Sequence, residues 1–171
     1  MSVGIPYETG SADAREARGS GTVCKLVPHP PFAPYPRAVL DPPRVLIADD
    51  YQDAAESLAL LLQCTGARTE VALDGRKALA KASLWRPDIC VLDLQMPELD
   101  GREVARQIRA QTWKQRPLLI ALTGWTTQQD RDSAVEAGFD YYVTKPVEPS
   151  WLVRLIQAYC RADLELGCTG E

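Results

Sequence analysis

Apolar and polar positions follow two alternating patterns from residue 44 onward. Short runs of branched apolar residues are followed by longer stretches in which apolar residues recur every three or four positions. The first pattern is typical of buried strands, and the second of amphipathic helices. The predicted strands are RVLIA from residue 44, ARTEVAL from 67, ICVL from 89, RPLLIAL from 116 and YYV from 141. The predicted helices are DAAESLALLLQCTG from 53, RKALAKASLW from 76, REVARQIRA from 102, TQQDRDSAVEAG from 127 and PSWLVRLIQAYC from 149.

Strands and helices therefore alternate five times. This order predicts an α/β domain with a parallel sheet, right-handed crossovers and helices on both faces. Ala54, Leu58, Leu61 and Leu62 are predicted to share the buried face of the first helix, closed by a glycine at its end. Val104 and Ile108 are predicted to point inward from the third helix.

The first 43 residues have a different composition. They hold eight of the 13 prolines, seven of them between Pro28 and Pro43. Proline has no amide hydrogen and a fixed φ, so this tract predicts neither a helix nor a central strand. We predict that residues 1–43 form a disordered tail ending in an extended linker, that residues 44–162 form the domain, and that residues 163–171 form a short tail.

Composition and charge exclude several classes. The net charge of −4 and the pI of about 5.1 argue against a nucleic-acid-binding surface. No apolar run suits a membrane span or a signal peptide, so we expect a cytoplasmic protein. The five cysteines lack CxxC spacing, which argues against a zinc site, and Cys90 is predicted to be a small core residue. The only histidine, His29, lies in the proline-rich tract, which argues against a histidine-based catalytic triad.

Polar residues stand where the predicted strands end. Because the carboxyl ends of parallel strands meet at one edge of a sheet, these side chains should converge there. The group contains three carboxylates, a hydroxyl and an ammonium: Asp49, Asp50, Asp93, Thr123 and Lys145.

The chemistry of such a cluster is restricted. Crowded carboxylates repel one another, and a divalent cation relieves the repulsion; oxygen ligands without histidine or thiolate suit Mg²⁺. Lys145 and Thr123 are placed to contact phosphate oxygens, and Asp93 to attack a phosphoryl group and become an aspartyl phosphate. Pro97 and the Asp100-Gly101 pair shape the loop after Asp93, where Asp100 is predicted to be a turn and helix-start residue.

Four motifs, in this order and spacing, carry a resemblance to a known family. They are LIADD at 46–50, VLDLQMPELDG at 91–101, ALTGW at 121–125 and YYVTKPV at 141–147. The chain resembles the receiver domain of bacterial two-component response regulators, and ADDYQDAAESLALLL further resembles receivers attached to, or partnered with, hybrid histidine kinases. The resemblance implies a flavodoxin-like, doubly wound fold: five parallel strands in the order 2-1-3-4-5 and five helices in three layers.

The resemblance also implies roles for single residues. Asp93 would be the phosphoacceptor, and its donor would be a phosphohistidine on a histidine kinase or a phosphotransfer protein. Lys145-Pro146 matches a position where the family uses a cis peptide. The carboxylates of Asp50 and Asp93 and the backbone carbonyl of Gln95 would ligate Mg²⁺, and Asp49 would act through a metal-bound water. Thr123 and Lys145 would contact the phosphoryl group. Tyr142 would be the aromatic switch residue.

A phosphorylation-controlled switch follows from this resemblance. Thr123 would move toward the phosphoryl group, and Tyr142 would turn into the space it leaves. The surface expected to change comprises the fourth helix, fifth strand and fifth helix, at about residues 127–160, where Trp151 and Val147 would meet a partner or a second copy. Output would come through protein contact or phosphotransfer, with no DNA-binding domain and no enzymatic activity beyond self-phosphorylation and self-dephosphorylation.

Alternatives remain open at this point. The chain is also compatible with a receiver that docks partners without phosphorylation. A phosphatase of the haloacid-dehalogenase type would need a general acid where Gln95 stands, and a flavodoxin-like small-molecule binder would need a glycine-rich phosphate loop.

Single residues also have simpler interpretations. The pair Asp49-Asp50 suits a helix N-cap, Thr123 a loop cap, Lys145 a solvated surface position, and Tyr142 ordinary core packing. Trp125 stands where the family often has a polar residue, and we hypothesise that its indole slows hydrolysis of the acyl phosphate.

Overall fold

The computed structural model describes residues 23–25, 42–124 and 127–166, with side chains described within 42–124 and 127–157. Trp125, and with it the hypothesis about its indole, lies outside the described residues. The strands are β1 (Val23–Lys25), β2 (Arg44–Ala48), β3 (Arg68–Ala72), β4 (Ile89–Asp93), β5 (Leu118–Thr123) and β6 (Tyr141–Thr144). The helices are α1 (Gln52–Cys64), α2 (Gly75–Trp85), α3 (Gly101–Ala110), α4 (Gln128–Ala137) and α5 (Pro149–Leu166).

The five strands from β2 to β6 form the predicted parallel sheet. They lie in the order β3-β2-β4-β5-β6, and every pair among them is parallel. Counted along the chain, these five strands have the order 2-1-3-4-5. The flavodoxin-like fold prediction is therefore confirmed.

The helices cover the sheet in two outer layers. Buried residues of α2, α3 and α4 form one core with one side of the sheet, and buried residues of α1 and α5 form a second core with the other. Strand residues alternate between these cores as the pleat requires: Cys90 and Leu92 lie in the first, and Ile89 and Val91 in the second. The prediction that Cys90 is a core residue is confirmed. No helix among the described residues combines the length and apolar character that a bilayer crossing requires.

Strand β1 was not predicted. It pairs antiparallel with the edge strand β6, and Cys24 lies opposite Tyr142. The segment around it, TVCKLV at 22–27, has a strand composition but lies between a Gly-Ser-Gly sequence and the proline tract. Those flanking residues favour a disordered tail, and three residues are too few for a periodic pattern.

Two helix predictions also need correction. Ala54 is exposed, and the buried face of α1 carries Ala55 and Ala59 instead. The adjacent alanines allowed either phase, because the leucines at positions 58 to 62 suit both. Helix α5 extends to Leu166, beyond the Cys160 end of the predicted segment, since neither proline nor glycine interrupts the chain before Gly167. Val104 and Ile108 are buried, as predicted.

Candidate functional site

Three carboxylates meet at the carboxyl end of the sheet. Asp49 directly follows β2, and Asp93 is the last residue of β4, the strand paired with β2. Each of Asp49, Asp50 and Asp93 offers an oxygen within 4.8 Å of the other two. Asp49 and Asp93 are buried and Asp50 is exposed, so the cluster is open to solvent on the side of Asp50.

Lys145 joins two of these carboxylates. Its Nζ donates to Asp49 Oδ2 at 2.7 Å and to Asp93 Oδ2 at 2.6 Å. Its backbone amide donates to the Thr123 carbonyl at 2.7 Å, and the Lys145-Pro146 peptide is cis, as the resemblance implied. The alternative that Lys145 is a solvated surface residue is therefore wrong. The ammonium predicted to meet a phosphate oxygen lies between two carboxylates in this structure.

Opposing influences act on the charges of Asp93 and Lys145. Burial raises the pKa of Asp93, and the nearby carboxylate of Asp49 raises it further. Hydrogen bonds from Lys145 and from the Gln95 amide, the latter at 2.9 Å, act in the opposite direction and lower the pKa of Asp93. Burial alone would lower the pKa of Lys145, but the hydrogen bonds to Asp49 and Asp93 outweigh it and leave that pKa above its usual value. The ammonium therefore stays charged and favours ionisation of Asp93.

The N-cap interpretation of the aspartate pair is wrong. The N-cap residue of α1 is Tyr51, which makes no side-chain cap hydrogen bond. Asp49 Oδ1 instead accepts a hydrogen bond from the Tyr51 amide at 2.9 Å. This local turn leaves Asp49 Oδ2 directed to Lys145.

The loop between β4 and α3 is held by close backbone packing. A Cβ added at Gly101 would lie 2.1 Å from the Asp93 carbonyl oxygen, and one added at Gly75 would lie 1.9 Å from the Leu99 carbonyl oxygen. Asp100 begins α3, as predicted, and its side chain accepts from the Arg102 amide at 2.6 Å. The starts of α2 and α3 therefore both pack against the segment that carries Asp93.

Thr123 and Tyr142 form a buried pair beside this rim. Thr123 ends β5 with 1% of its surface exposed, and Tyr142 in β6 is fully buried. Burial raises the pKa of Tyr142, and a side-chain hydrogen bond with Thr123 opposes that change. The Tyr142 ring packs in the core in this structure, and its turn into the space left by Thr123 stays a prediction.

A second polar connection lies close to Tyr142. Arg102 of α3 reaches α4, where its Nε donates to Ser133 Oγ at 2.9 Å and a terminal nitrogen contacts Asp130 Oδ1 at 3.2 Å. Sequence reasoning missed this connection, because separations of 28 and 31 residues carry no local signal.

The predicted partner-facing side chains are less free than expected. Trp151 is half-buried, and its ring packs edge-on against Tyr141 with centroids 5.9 Å apart. Val147 is half-buried and packs against the core between the sheet and helices α1 and α5. Much of each side chain therefore stabilises the attachment of α5 to the sheet.

The donor set fits a divalent cation. Three carboxylates facing one ammonium leave two negative charges in excess, which a divalent ion would neutralise. The described residues of the cluster offer hard oxygen donors, the type preferred by Mg²⁺ and Ca²⁺. The charge and the geometry of the cluster therefore both suit a divalent cation.

Comparisons with known proteins agree with this geometry. Residues 45–157 match the family model described as the response regulator receiver domain. The chain is 40% identical over 130 residues to the response regulator MprA of Mycolicibacterium vanbaalenii, covering 76% of this chain and 55% of that protein. It is 37% identical over 118 residues to an uncharacterized 14.6 kDa protein of Leptolyngbya boryana, covering 69% of this chain and 90% of that protein.

Solved structures show the same fold. The chemotaxis response regulator CheY4 of Vibrio cholerae superposes with a TM-score of 0.64 at 29% identity, covering 70% of this chain and 99% of that one. The Francisella response regulator 1452 receiver domain has a TM-score of 0.64 at 28% identity, covering 70% of this chain and 97% of that one. The chain spans about half the length of the MprA and PrrA response regulators that it matches. It belongs to the response regulator receiver domain family of two-component signalling.

Proposed function

We propose that Asp93 accepts a phosphoryl group from a phosphohistidine in the presence of Mg²⁺. The donor would be a histidine kinase or a phosphotransfer protein. The observation that carries this proposal is the bridge from Lys145 to Asp49 and Asp93, with Asp50 beside them. An acidic cluster that holds one ammonium and retains excess negative charge suits a divalent cation and a transferred phosphoryl group together.

The proposed transfer uses the groups around Asp93. A carboxylate oxygen of Asp93 attacks phosphorus, the phosphorus–nitrogen bond of the donor breaks, and its electron pair stays with the imidazole. The Gln95 amide and the Lys145 ammonium hold Asp93 in place and favour its ionised form. The carboxylates of Asp50 and Asp93 and the Gln95 carbonyl would hold Mg²⁺, with Asp49 acting through a bound water. When bound, Mg²⁺ supplies charge neutralisation for the phosphoryl oxygens.

The proposed switch begins at the contact between Thr123 and Tyr142. The aspartyl phosphate would carry roughly −1.5 to −2 charges beside Thr123, in place of the single charge of the ionised Asp93 carboxylate. In this proposal, Thr123 and Lys145 each contact a phosphoryl oxygen. Movement of the Thr123 hydroxyl alters its hydrogen bond with Tyr142 and biases an existing equilibrium between two conformations.

The output of the protein is also a proposal. The surface formed by α4, β6 and α5 would contact a downstream protein or a second copy of the chain, or the phosphoryl group would pass to another protein. The cytoplasmic location stays a prediction. We further propose that self-phosphorylation and self-dephosphorylation are the only reactions of this domain, because Gln95 cannot deliver the proton that a phosphatase of the alternative type needs.

Mass spectrometry of the intact protein tests the phosphoacceptor role. Incubation with acetyl phosphate and Mg²⁺ should add one phosphoryl group to the full chain. Asp93→Asn should abolish the adduct, whereas the matched control Asp132→Asn, on an exposed position of α4, should retain it. An adduct that persists in Asp93→Asn, or that forms equally in excess EDTA, would contradict the proposal. A turnover assay with a generic phosphate ester tests the phosphatase alternative.

A further inference from the structure

Strand β6 lies near one edge of the parallel sheet, and the proposed function does not explain how its outer side is protected. Strand β6 pairs with β5 on one side, so its other side would present unpaired backbone groups. Exposed strand edges invite pairing with other chains, and proteins often protect them with lysine, proline or a bulge. The sequence of β6, YYVT, contains neither lysine nor proline. In this structure β1 covers that edge.

We infer that the β6 edge is a strand-docking site and that the chain's own segment Val23–Lys25 occupies it in cis. The three register pairs are Val23 with Val143, Cys24 with Tyr142 and Lys25 with Tyr141. The occupant therefore lies beside the strand that carries the proposed switch residue. Any protein that pairs a strand with this edge must first displace the segment.

The geometry of the connection favours the same molecule as the source of β1. Since β1 is antiparallel to β6, it ends opposite Tyr141, where β6 begins. Strand β2 is parallel to β6 and begins near that same end of the sheet. Lys25 and Arg44, the residues that the connecting segment joins, therefore lie at the same end of the sheet and are separated across its width.

The connecting segment is long enough for that crossing. Four strand-to-strand steps separate β1 from β2, a distance of about 19 Å at about 4.8 Å per step. The 18 residues from 26 to 43 can reach about 60 Å when extended. A tether of this length gives the segment an effective concentration on the order of millimolar at the edge. A strand from a second copy would compete poorly at ordinary protein concentrations.

The short length of β1 suits an occupant that can be displaced. Three residues make few ladder hydrogen bonds, so little pairing has to be broken to release the segment. A short edge strand is a poor template for further pairing, so the outer side of β1 offers little to another chain. The segment therefore covers the β6 edge without creating a new edge that readily pairs with other strands.

Hydrogen exchange measured on the full chain tests the inference. The variant Val23→Pro/Cys24→Pro removes two adjacent amide hydrogens and imposes a φ unsuited to a strand. We expect exchange in the peptide containing Tyr141–Thr144 to rise at least about tenfold at its edge-facing amides, because their ladder partners are lost. The matched control Phe32→Pro/Ala33→Pro adds two prolines to the connecting tract outside β1 and should exchange like the wild type.

Dilution identifies the source of the strand. Protection of β6 in the wild type should be the same at about 1 and about 100 µM, since a tethered occupant does not depend on concentration. Protection that falls on dilution would overturn the inference in favour of a strand exchanged between two copies. Unchanged protection in Val23→Pro/Cys24→Pro would overturn it in favour of an unoccupied edge. Neither readout involves phosphorylation, so the inference and the proposed function can fail independently.

Discussion

The close approach between Gly101 and the end of β4 makes Gly101→Ala an informative substitution. The new Cβ would lie 2.1 Å from the Asp93 carbonyl oxygen, whereas ordinary contact begins at 3.4 Å. The two must therefore separate by about 1.3 Å, nearly the rise of one helical residue. Neither atom belongs to a flexible side chain, so the start of α3 or the end of β4 has to move.

The expected cost can be estimated from similar overpacking. Forcing extra atoms into packed structure costs about 1–3 kcal/mol. Replacing glycine by alanine in a helix returns about 0.5–1 kcal/mol, which offsets part of that cost. Because the obstacle is backbone, we place the loss at the upper end and expect a net destabilisation of about 2 kcal/mol. With an m-value of about 2 kcal/mol per molar, the urea midpoint should fall by about 1 M.

Urea denaturation followed by circular dichroism measures this loss. Gly124→Ala is the matched control, because nothing lies within 4 Å of its added Cβ; its midpoint should change little. Gly101→Ala should also slow phosphoryl uptake from acetyl phosphate, since Asp93 would be displaced from Lys145. If both variants unfold at the same urea concentration, the close approach does not constrain the fold and the reasoning is refuted.

Three further predictions concern the charged and buried groups of the site. Burial raises the pKa of Asp93 in the folded protein, so the unfolded chain loses this proton at a lower pH. The stability of the wild type should therefore fall relative to that of Asp93→Asn as the pH rises from about 4 toward 7. Urea midpoints measured without divalent ions at both pH values check this, and a constant difference between the two proteins would contradict it. Lys145→Met leaves the buried carboxylates of Asp49 and Asp93 without their shared ammonium and should destabilise the protein by about 2 kcal/mol in urea denaturation. This cost is smaller than for a fully buried pair, because the Lys145 side chain is 33% exposed. Lys145→Arg should recover part of the lost stability. Tyr142→Phe removes the hydrogen bond with Thr123 and should cost about 1 kcal/mol in the same assay while phosphoryl uptake continues; a variant as stable as the wild type would argue against that bond.

Much of the fold could be predicted because its signals are local. Runs of branched apolar residues indicated the five parallel strands, and the residues that end them indicated one rim. That reasoning located the region where Asp49, Asp93 and Lys145 meet. It did not show that the Lys145 ammonium lies between the two carboxylates, because side-chain contacts across 52 and 96 residues depend on packing.

The missed features share a physical cause. Strand β1 depends on an edge supplied by β6, more than a hundred residues away in sequence, and its own three residues carry almost no pattern. The phase of α1 depends on the sheet beneath it, since the sequence alone allowed either Ala54 or Ala55 to be buried. The connection from Arg102 to α4 likewise requires knowledge of which helices are neighbours.

The direction of β1 has a practical consequence for work with this protein. Val23 lies opposite Val143, which is near the carboxyl end of β6 and two residues before Lys145. Strand β1 therefore begins on the side of the sheet where a phosphodonor would dock. A bulky group attached directly before Val23 would be tethered on that side and would obstruct an approaching kinase. Helix α5 leads away from this rim for about 27 Å before ending at Leu166. A reporter group for phosphotransfer measurements is therefore better attached beyond the end of α5 than directly before β1.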